Sequence, residues 1–374
     1  MFFLYQFYTM SKTLSIVRVP ESTNNSLRAW SAADELLIHQ LEETDTAPLV
    51  IYNDSFGYLS SHAAPRKTFA ALDAKSQVKA TLENFSNNSI SGDHFEAVSL
   101  LEPLSEKVEI GLLKIPKSLE LFELFLSHFV KNSNKDATLY CGFMTRNFTK
   151  QLLEIGAEYF DEVEQSLSKK KARVLILRKP KVVSEKTMIN SIEFGESEIK
   201  QYYGVFSSHH IEYATQFLIE NLEPPEVVKS VLDLASGNGI IAKEVQKLFP
   251  DADIALVDDS QLAIESSKLN VKGENVSFFH NNNLEDIPSN SLDYVVSNPP
   301  FHVEYEIDIS LPLRLFRAVE KKLVNEGKFQ LVANSHLNYK PHLEKIFKRV
   351  SVVFDNDKFV VYSCYKRWDK NQEW

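Results

Sequence analysis

The sequence has few cysteines and no long hydrophobic run, and each shortage excludes a class of protein. Two cysteines in 374 residues, Cys141 and Cys364, cannot supply a disulfide framework or a cysteine-rich zinc site. No apolar stretch reaches the ~18–20 residues that a membrane-spanning helix needs. The opening MFFLYQFYTM has no charged segment and no small-residue cleavage site, so it predicts no signal peptide, and Met10 is an alternative initiator that would leave residues 1–9 outside the native chain. We therefore expect a cytoplasmic protein.

The remaining composition is typical of a globular chain. Hydrophobic residues make up 44% and charged residues 25%, which argues against wholesale disorder. At roughly 150 residues per domain, the length predicts two or three domains. The net charge of −10 argues, taken alone, against a surface coated in positive charge for nucleic-acid binding.

Short apolar runs alternate with helical patterns in the first half of the chain. This alternation predicts an α/β domain with a largely parallel sheet. The predicted helices cover residues 26–43, 73–85 and 119–130, and the predicted strands cover residues 49–52 and 108–115.

The second half has a clearer doubly wound, Rossmann-like pattern. Residues 182–198 are polar and weakly patterned, so we place a domain at residues 11–182, a linker at 183–200 and a second domain at 201–374. The predicted strands are residues 230–235, 254–257, 276–279, 292–296 and 328–333, and residues 350–354 and 359–365 are predicted to form a terminal hairpin. One predicted helix follows the glycine-containing turn and ends at residue 249. The other two cover residues 260–270 and 312–323.

A faint internal repeat links the two halves. LVIYNDSFGYL around Gly57 resembles VLDLASGNGII around Gly239, and LLKIPK at Pro116 resembles VVSNPPF at Pro300. Gly57 and Pro116 are separated by 59 residues, and Gly239 and Pro300 are separated by 61. We interpret this as two copies of one domain type, against the alternative of a chance similarity between two α/β domains.

A strongly basic segment closes the first half. SKKKARVLILRKPK, residues 168–181, is predicted to be a strand with positive charge at both ends and contains no acid. Such a segment is either a solvated strand end or a surface that contacts phosphates. Its basic residues are Lys169, Lys170, Lys171, Arg173, Arg178, Lys179 and Lys181.

The segment VLDLASGNG places Gly237 and Gly239 between a strand and a helix, where the backbone can approach a ligand closely. Asp258 ends the next strand, 25 residues after Asp233, and a carboxylate there can accept both hydroxyls of an adenosine ribose. A dinucleotide enzyme would show the same two features. The third strand ends in His280 and the run 281–283 of three asparagines, which either recognises the edge of an adenine or forms a polar turn.

The decisive motif follows the fourth strand and reads SNPPFH, residues 297–302. Its two prolines fix an extended backbone. The carbonyl oxygens of the Asn298 side chain and the Pro299 backbone can accept both hydrogens of an exocyclic amino group, and Phe301 can stack on the flat base that carries it. A proline turn that only capped a strand would not specify asparagine before it and an aromatic ring after it.

This constellation resembles the S-adenosylmethionine-dependent methyltransferases that modify planar amino nitrogens. GVFS (204–207), LDLASGNG, SNPPFH and the stretch from Val332 to Ser363 are similar to the ribosomal RNA guanine-N2 methyltransferases of the RsmC/RlmG type, and the last stretch is most similar to the RlmG branch. LRAWSAADELLIHQLEETD and IYNDSFGYLS resemble that branch's opening, so the resemblance runs from about Ser11 to near the end.

The resemblance implies tandem Rossmann-like class I methyltransferase domains, with cofactor bound only in the second. The first copy has KIPK (114–117) where the second has NPPF, so it lacks the amide and the ring and should be an inactive domain for RNA recognition or structure. The implied catalytic residues are Asn298, Pro299, Pro300 and Phe301. The implied S-adenosyl-L-methionine site comprises Phe206, Asp233, Ala235, Ser236, Gly237, Gly239, Asp258, Asp259, Asn282 and Asn298. The candidate RNA contacts are His302, Lys169, Lys170, Lys171 and Arg173. His302 and His336 have a structural alternative that the sequence leaves open.

Three positions depart from the family pattern. Ala235 replaces the first glycine of DxGxGxG, and an alanine costs little there if its φ is negative. Glu212 and Ala214 stand where the family usually has aspartate and glycine. We expect weaker or slightly displaced cofactor binding at most, with the chemistry intact.

The predicted function is methylation of a guanine N2 in 23S ribosomal RNA by a monomer that uses no metal and no membrane. The alternatives are small-subunit rRNA, a protein glutamine, or an inactive RNA-binding assembly factor; the match after Val332 argues against a DNA adenine methyltransferase. Charge distribution agrees with RNA: residues 201–308 carry −13, whereas residues 309–374 carry +6 and residues 168–181 carry +7. We expect the two basic segments to share one face beside Asn298.

Overall fold

The computed structural model describes residues 14–20, 27–41, 46–299 and 310–366. The described residues form two compact units: those up to Leu72 with Gln77–Val183, and Asp73–Ser76 with those from Ser184 onwards. Each unit is built on one seven-stranded sheet, which confirms the α/β class. Met10, Pro300, Phe301 and His302, which the sequence singles out, lie outside the described residues.

The helix predicted over residues 26–43 is observed as the seven residues of α1, because Ser31 starts it with a capping box. The Ser31 backbone N and Oγ both donate to Asp34 Oδ2 at 2.7 Å. The elements of the chain up to Val183 are α1 (Ala32–Ile38), β1 (Leu49–Tyr52), α2 (Tyr58–Ala63), β2 (Thr68–Ala71), α3 (Lys75–Asn87), β3 (Phe95–Val98), β4 (Val108–Lys114), α4 (Leu119–Asn132), β5 (Ser133–Met144), α5 (Lys150–Tyr159), β6 (Phe160–Gln165) and β7 (Ala172–Pro180).

The second half follows the predicted order of strands and helices to within a few residues at most ends. Its elements are β8 (Ile189–Phe194), β9 (Ser197–Tyr202), α6 (Tyr213–Glu220), β10 (Ser230–Leu234), α7 (Ile240–Leu248), β11 (Asp253–Asp258), α8 (Gln261–Asn270), β12 (Val276–His280), β13 (Leu292–Ser297), α9 (Ser310–Lys322), β14 (Leu323–Asn334), α10 (Lys340–Leu343), β15 (Arg349–Asp355) and β16 (Phe359–Tyr365).

The stretch predicted as a linker, residues 183–200, differs from that expectation because much of it is folded. It contains β8 and most of β9, which pair as an antiparallel hairpin. Ile192 and Ile199 are buried in the core of the second unit, since alternate residues of a strand point to the same face. The hairpin is therefore a structured part of the second unit.

The two sheets have the same topology. The strand order is β3-β2-β1-β4-β5-β7-β6 in the first and β12-β11-β10-β13-β14-β16-β15 in the second. In each sheet the first five strands are parallel, and β7 or β16 runs antiparallel to both neighbours. Identical order and direction confirm that the two halves are copies of one domain type.

The strand register of the two sheets shows which residues of the two copies are equivalent near the site. Tyr52 pairs with Leu113 in the first sheet, and Leu234 pairs with Ser297 in the second. The residue after each partner is Lys114 or Asn298. The first copy therefore carries an ammonium group at the strand-end position where the second carries the motif amide.

The central strand β10 separates two apolar clusters. Leu232 and Leu234 belong to a cluster with α9, whereas Val231 lies in a cluster with α7 on the opposite face. Because side chains alternate along a strand, Asp233 is on the α7 side with Val231. This alternation places a carboxyl group under the start of α7.

Candidate functional site

The glycine turn leaves β10 through three residues with positive φ. The φ angles are +58° at Ala235, +54° at Gly237 and +79° at Gly239, which is the N-cap of α7. The backbone N–H groups of Ala235 and Ser236 both donate to the Val257 carbonyl, at 2.8 and 3.3 Å. A Cβ at Gly239 would lie 3.0 Å from a methyl carbon of Val271 and 3.1–3.2 Å from Ser267 of α8. A Cβ at Gly237 would meet no atom within 4 Å. The chain is therefore open at Gly237, the point where a ligand can approach.

Ala235 does not have the negative φ that would let alanine replace glycine here at little energetic cost. Its φ of +58° lies in the left-handed region, where a Cβ crowds the following carbonyl oxygen. The first copy has Asn53 at the equivalent position with a φ of +59°, and asparagine tolerates this region better. The turn conformation is kept in the second copy in spite of the alanine, so the strain is local to this residue.

Replacing Ala235 by glycine is expected to raise the free energy of unfolding by about 1 kcal/mol, and by no more than about 1.6 kcal/mol. Removing the left-handed alanine relieves ~1–2 kcal/mol, and the greater freedom of glycine in the unfolded chain offsets ~0.4–1 kcal/mol. Urea denaturation measures the change. The matched control is Ala157→Gly at an exposed site in α5, which should lose about 1 kcal/mol. Equal losses at the two sites would contradict strain at Ala235.

Asp233 is fully buried beside the turn. One carboxylate oxygen, Oδ2, accepts the backbone N–H of Ala242 in α7 at 2.9 Å. The other, Oδ1, is buried and has no hydrogen-bond partner among the described residues. Burial raises the pKa of Asp233 to about 7. A buried acid with one unused oxygen fits a site that receives a positively charged or donor-rich ligand.

Replacing Asp233 by asparagine is expected to flatten the pH dependence of stability. The pKa of Asp233 is raised in the folded state, so that state holds more protons than the unfolded chain between about pH 4 and pH 7. The free energy of unfolding therefore falls as the pH rises through this window, by about 1.4 kcal/mol per unit of pKa difference. Urea denaturation at both ends of the window tests this, with exposed Asp253→Asn as the control. An unchanged slope in Asp233→Asn would contradict the assignment.

Asp258 ends β11 and ties the glycine turn to the next helix. Its Oδ2 accepts the Gly237 N–H at 2.9 Å and its Oδ1 accepts the Ser260 N–H at 2.8 Å. Burial raises the pKa of Asp258 to about 6. An ionised carboxylate has about four acceptor positions, so two remain for ribose hydroxyls. The neighbouring Asp259 instead accepts the backbone N–H and the hydroxyl of Ser76, at 2.8 and 2.5 Å.

Two of the three asparagines after β12 support the turn itself. Asn281 Nδ2 donates to Asp286 at 2.8 Å, and Asn283 Oδ1 accepts the Glu285 N–H at 3.0 Å. Asn282, the residue implied in the cofactor site, lies between them in a partly buried position, and its N–H donates to Asn281 Oδ1 at 2.9 Å. The run therefore forms a polar turn, and Asn282 lies at the carboxyl edge of the sheet.

Asn298 follows β13 at the same edge. Its side-chain nitrogen donates to the carboxylate of Glu212 and to Thr215 Oγ1, the latter at 2.8 Å. Ser297 Oγ donates to the Leu234 carbonyl at 2.7 Å, which joins the ends of β13 and β10 directly. Pro299 is buried. The structure thus brings the motif amide next to the strand that leads into the glycine turn.

The loop of residues 204–207 is held by Gln201, which sequence reasoning missed. Gln201 Nε2 donates to the Val205 carbonyl at 3.1 Å, and its Oε1 accepts Asn238 Nδ2 from the glycine turn at 2.7 Å. Phe206 is 75% exposed on this loop. The position of Gln201 in its strand could have indicated it. Alternate residues of a strand point to the same face, so Gln201 lies on the buried face of β9 with Ile199, where an apolar residue is expected.

The first copy has different residues at the corresponding positions. Lys114, at the strand-end position of Asn298, forms an ion pair with the buried Asp34 of α1. Its backbone carbonyl accepts Asn53 Nδ2 at 2.8 Å. At the position of Asp233 this copy has Ile51, which is buried. An ion pair therefore fills the place of the motif amide, as expected for an inactive copy.

Comparison with known proteins places both halves of the chain in known families. Residues 5–181 match the RLMG N-terminal domain, and residues 196–363 match the methyltransferase small domain. A Ribosomal RNA large subunit methyltransferase G from Shewanella woodyi is 32% identical over 96% of this chain and 90% of its own. A protein of the same name from Psychromonas ingrahamii is 30% identical over 95% of this chain and 97% of its own length. The chain belongs to the RlmG family.

Among solved structures, a T. thermophilus 16S rRNA N2 methyltransferase, RsmC, in complex with AdoMet and guanosine, superposes on the chain with a TM-score of 0.75. The superposition covers 91% of this chain and 93% of the RsmC chain, and the two sequences are 18% identical. At this identity the likeness shows the fold. The two units of this RlmG-family chain therefore share a Rossmann-like fold in tandem, as the sequence predicts, and the second unit matches the methyltransferase small domain.

The basic segment of the RlmG N-terminal domain forms a hairpin between β6 and β7. Arg178, Lys179 and Lys181 form ion pairs with acids of β6. Lys169, Lys170 and Lys171 are exposed at the hairpin turn, and Lys170 also pairs with Glu35 at 2.7 Å. Arg173 is partly buried and donates to Gln165 at 3.2 Å. The segment therefore consists of a paired strand end and an exposed cluster of three lysines, and phosphate contact by that cluster stays a prediction.

Two features are absent from the part of the chain that the structure describes. None of its helices is long and apolar enough to cross a membrane. Within the same residues, no group of three or more histidine, cysteine, aspartate or glutamate side chains is placed to hold a metal ion.

Proposed function

We propose that the chain is an S-adenosylmethionine-dependent methyltransferase that methylates the exocyclic N2 amino group of a guanine in 23S ribosomal RNA. The observation that carries the proposal is the meeting of two features at one edge of the second sheet. Asn298 follows β13, and the glycine turn follows the adjacent strand β10. In open α/β sheets this is a switch point of strand order, where ligands bind outside the carboxyl ends of the strands.

The acidic and open surface of this edge fits the cofactor. When bound, S-adenosylmethionine supplies an electrophilic methyl group on a sulfonium. The buried Asp233 with its unused oxygen and the partly buried Asp258 suit a cationic ligand that bears ribose hydroxyls. The residues proposed to hold it are Phe206, Asp233, Ala235, Ser236, Gly237, Gly239, Asp258, Asp259, Asn282 and Asn298.

The chain's own residues position the amine. Asn298 Oδ1 and the Pro299 carbonyl accept its two hydrogens, which localises the nitrogen lone pair, and Phe301 stacks on the guanine. With the cofactor bound at this edge, the guanine nitrogen would take the methyl group from the sulfonium, which would leave as a neutral thioether. The proton on nitrogen becomes acidic as the new bond forms and would pass to water, so no strong base is required. Positioning of this kind can lower a barrier by ~7–11 kcal/mol.

Backbone conformation supports an RNA-binding role for the lysine cluster. Lys170 and Lys171 have φ of +51° and +59°, in a two-residue hairpin turn where Asn-Gly is usual. Lysine in this region is strained, and such strain is found at functional sites. We propose that Lys169, Lys170, Lys171, Arg173 and His302 contact the RNA, and that the protein acts as a cytoplasmic monomer without metal.

The test is transfer of labelled methyl groups to separate acceptors: naked 23S RNA, naked 16S RNA, assembled subunits and protein. Label in 23S guanine N2 is the expected result. Label in 16S RNA alone would move the target to the small subunit, and label in protein glutamine alone would overturn the RNA proposal. Binding of S-adenosylmethionine with no label anywhere would indicate an inactive assembly factor. Crosslinking of the RNA tests whether both basic segments share one face, which stays a prediction.

A further inference from the structure

Glu212 stands at the start of a helix, and its side chain binds Asn298 and does not cap that helix. It is the N-cap residue of α6, where an acceptor side chain usually binds the backbone N–H of the second or third helical residue. Among the described residues, its carboxylate caps none of these N–H groups and instead accepts from Asn298 Nδ2. Burial raises the pKa of Glu212, whereas the hydrogen bond from Asn298 acts in the opposite direction, so this contact favours the ionised carboxylate.

The two partners of Asn298 fix the rotation of its amide. A primary amide has two N–H donors and one carbonyl acceptor. An ionised carboxylate can only accept, so the amide atom that faces Glu212 must be the nitrogen. The same nitrogen donates to Thr215 Oγ1 at 2.8 Å, and Thr215 is 7% exposed. Both amide hydrogens are therefore used on the α6 side, and Oδ1 is left as the atom to accept a hydrogen from a ligand.

The repeat shows that this contact is built into the backbone of both copies. Thr215 is the third residue of α6, and Asp34 is the third residue of α1. In the first copy Asp34 contacts Lys114, which stands at the strand-end position of Asn298. The fold thus brings the third helical residue to this strand end in each copy, and the residue types decide whether the pair is an ion pair or an oriented amide.

We propose that Glu212 and Thr215 are positioning residues that lock the Asn298 amide with its carbonyl oxygen facing the amino group of the substrate. The inference rests on the proposed function, because it assigns the acceptor that Asn298 offers to the guanine amine. Neither residue contacts the reacting atoms. Without these two contacts the side-chain amide of Asn298 can rotate by about 180° and present its N–H groups, which would repel the amine hydrogens.

The test compares substitutions that keep the carboxylate of Glu212 or the hydroxyl of Thr215 with substitutions that remove it. Glu212→Gln can donate as well as accept, and Thr215→Val removes the hydroxyl at similar volume. Each is expected to lower kcat by about 10- to 100-fold, a range typical of misplaced catalytic groups, while the Kd for S-adenosylmethionine and the KM for RNA change less than about threefold. Glu212→Asp and Thr215→Ser keep an acceptor and should recover most of the activity. Glu220→Gln, exposed on the last turn of α6, is the control and should behave as wild type.

A structural readout keeps the test independent of folding defects. With asparagine labelled by ¹⁵N, the side-chain amide protons of Asn298 should exchange slowly in the wild type and rapidly in Glu212→Gln. Wild-type kcat in both Glu212→Gln and Thr215→Val would overturn the inference and leave the proposed function intact. A wild-type protein that methylates no RNA would instead overturn the proposed function itself.

Discussion

Replacing Asn298 by alanine is expected to lower methyl transfer to RNA by about 10³-fold, the loss seen when a group that stabilises the transition state is removed. The substitution deletes the acceptor that holds one hydrogen of the amine and leaves the Glu212 carboxylate without its donor. Binding of S-adenosylmethionine should change little, because the glycine turn, Asp233 and Asp258 remain. Single-turnover assays with labelled cofactor measure the rate, and calorimetry measures the Kd.

The control for Asn298→Ala is Asn87→Ala, which removes an exposed amide at the end of α3. It should retain wild-type turnover. Phe301→Ala is expected to lose transfer as completely as Asn298→Ala, since the base would no longer be stacked. Near-normal turnover of Asn298→Ala on RNA would show that the amine is held by other groups.

Replacing Asp258 by alanine is expected to weaken S-adenosylmethionine binding by about 100-fold or more. Hydrogen bonds to a charged group contribute ~1.5–3 kcal/mol each, and loss of two from a ribose corresponds to at least ~3 kcal/mol, or about two powers of ten in Kd. The change also removes the acceptor for the Gly237 N–H, so the turn itself should loosen. Calorimetric titration of the cofactor measures the effect.

Asp253→Ala is the matched control for Asp258→Ala, because Asp253 lies exposed at the opposite end of the same strand, β11. Its Kd should equal that of the wild type. Asp259→Ala, made in parallel, separates the contributions of the two adjacent carboxylates, since Asp259 accepts two hydrogen bonds from Ser76. Unaltered cofactor binding in Asp258→Ala would remove the ribose role from this residue.

Local pattern was sufficient to predict the architecture because the same apolar periodicity recurs twice along the chain. The spacing from Gly57 to Pro116 and from Gly239 to Pro300 indicated two copies, and the identical order of strands in the two sheets confirms it. Element ends were less accurate. The helix predicted over residues 26–43 is shorter because the capping box of Ser31 sets its start. Residues 189–202, most of which were assigned to a linker, fold as a hairpin because two isoleucines reach the core.

The features of the site that were missed depend on side chains far apart in sequence. Glu212 and Asn298 are separated by 86 positions, and Gln201 and Asn238 by 37. Hydrophobic periodicity carries no information on such pairs. The φ of Ala235 could not be read from its residue type either, because alanine prefers negative φ and only the surrounding turn holds it in the left-handed region.

The sequence by itself determined the α/β class, the duplication, the family and the strand-end motif that contains Asn298, because each is written in contiguous residues whose chemistry is local. Only the tertiary structure decided which way the Asn298 amide faces, what occupies its place in the first copy, and that Ala235 is strained. These depend on the packing of α6 against β13, of α1 against β4, and of the glycine turn against β11. Orientation of a planar amide is set by its neighbours in space, and the sequence specifies those neighbours only through the fold.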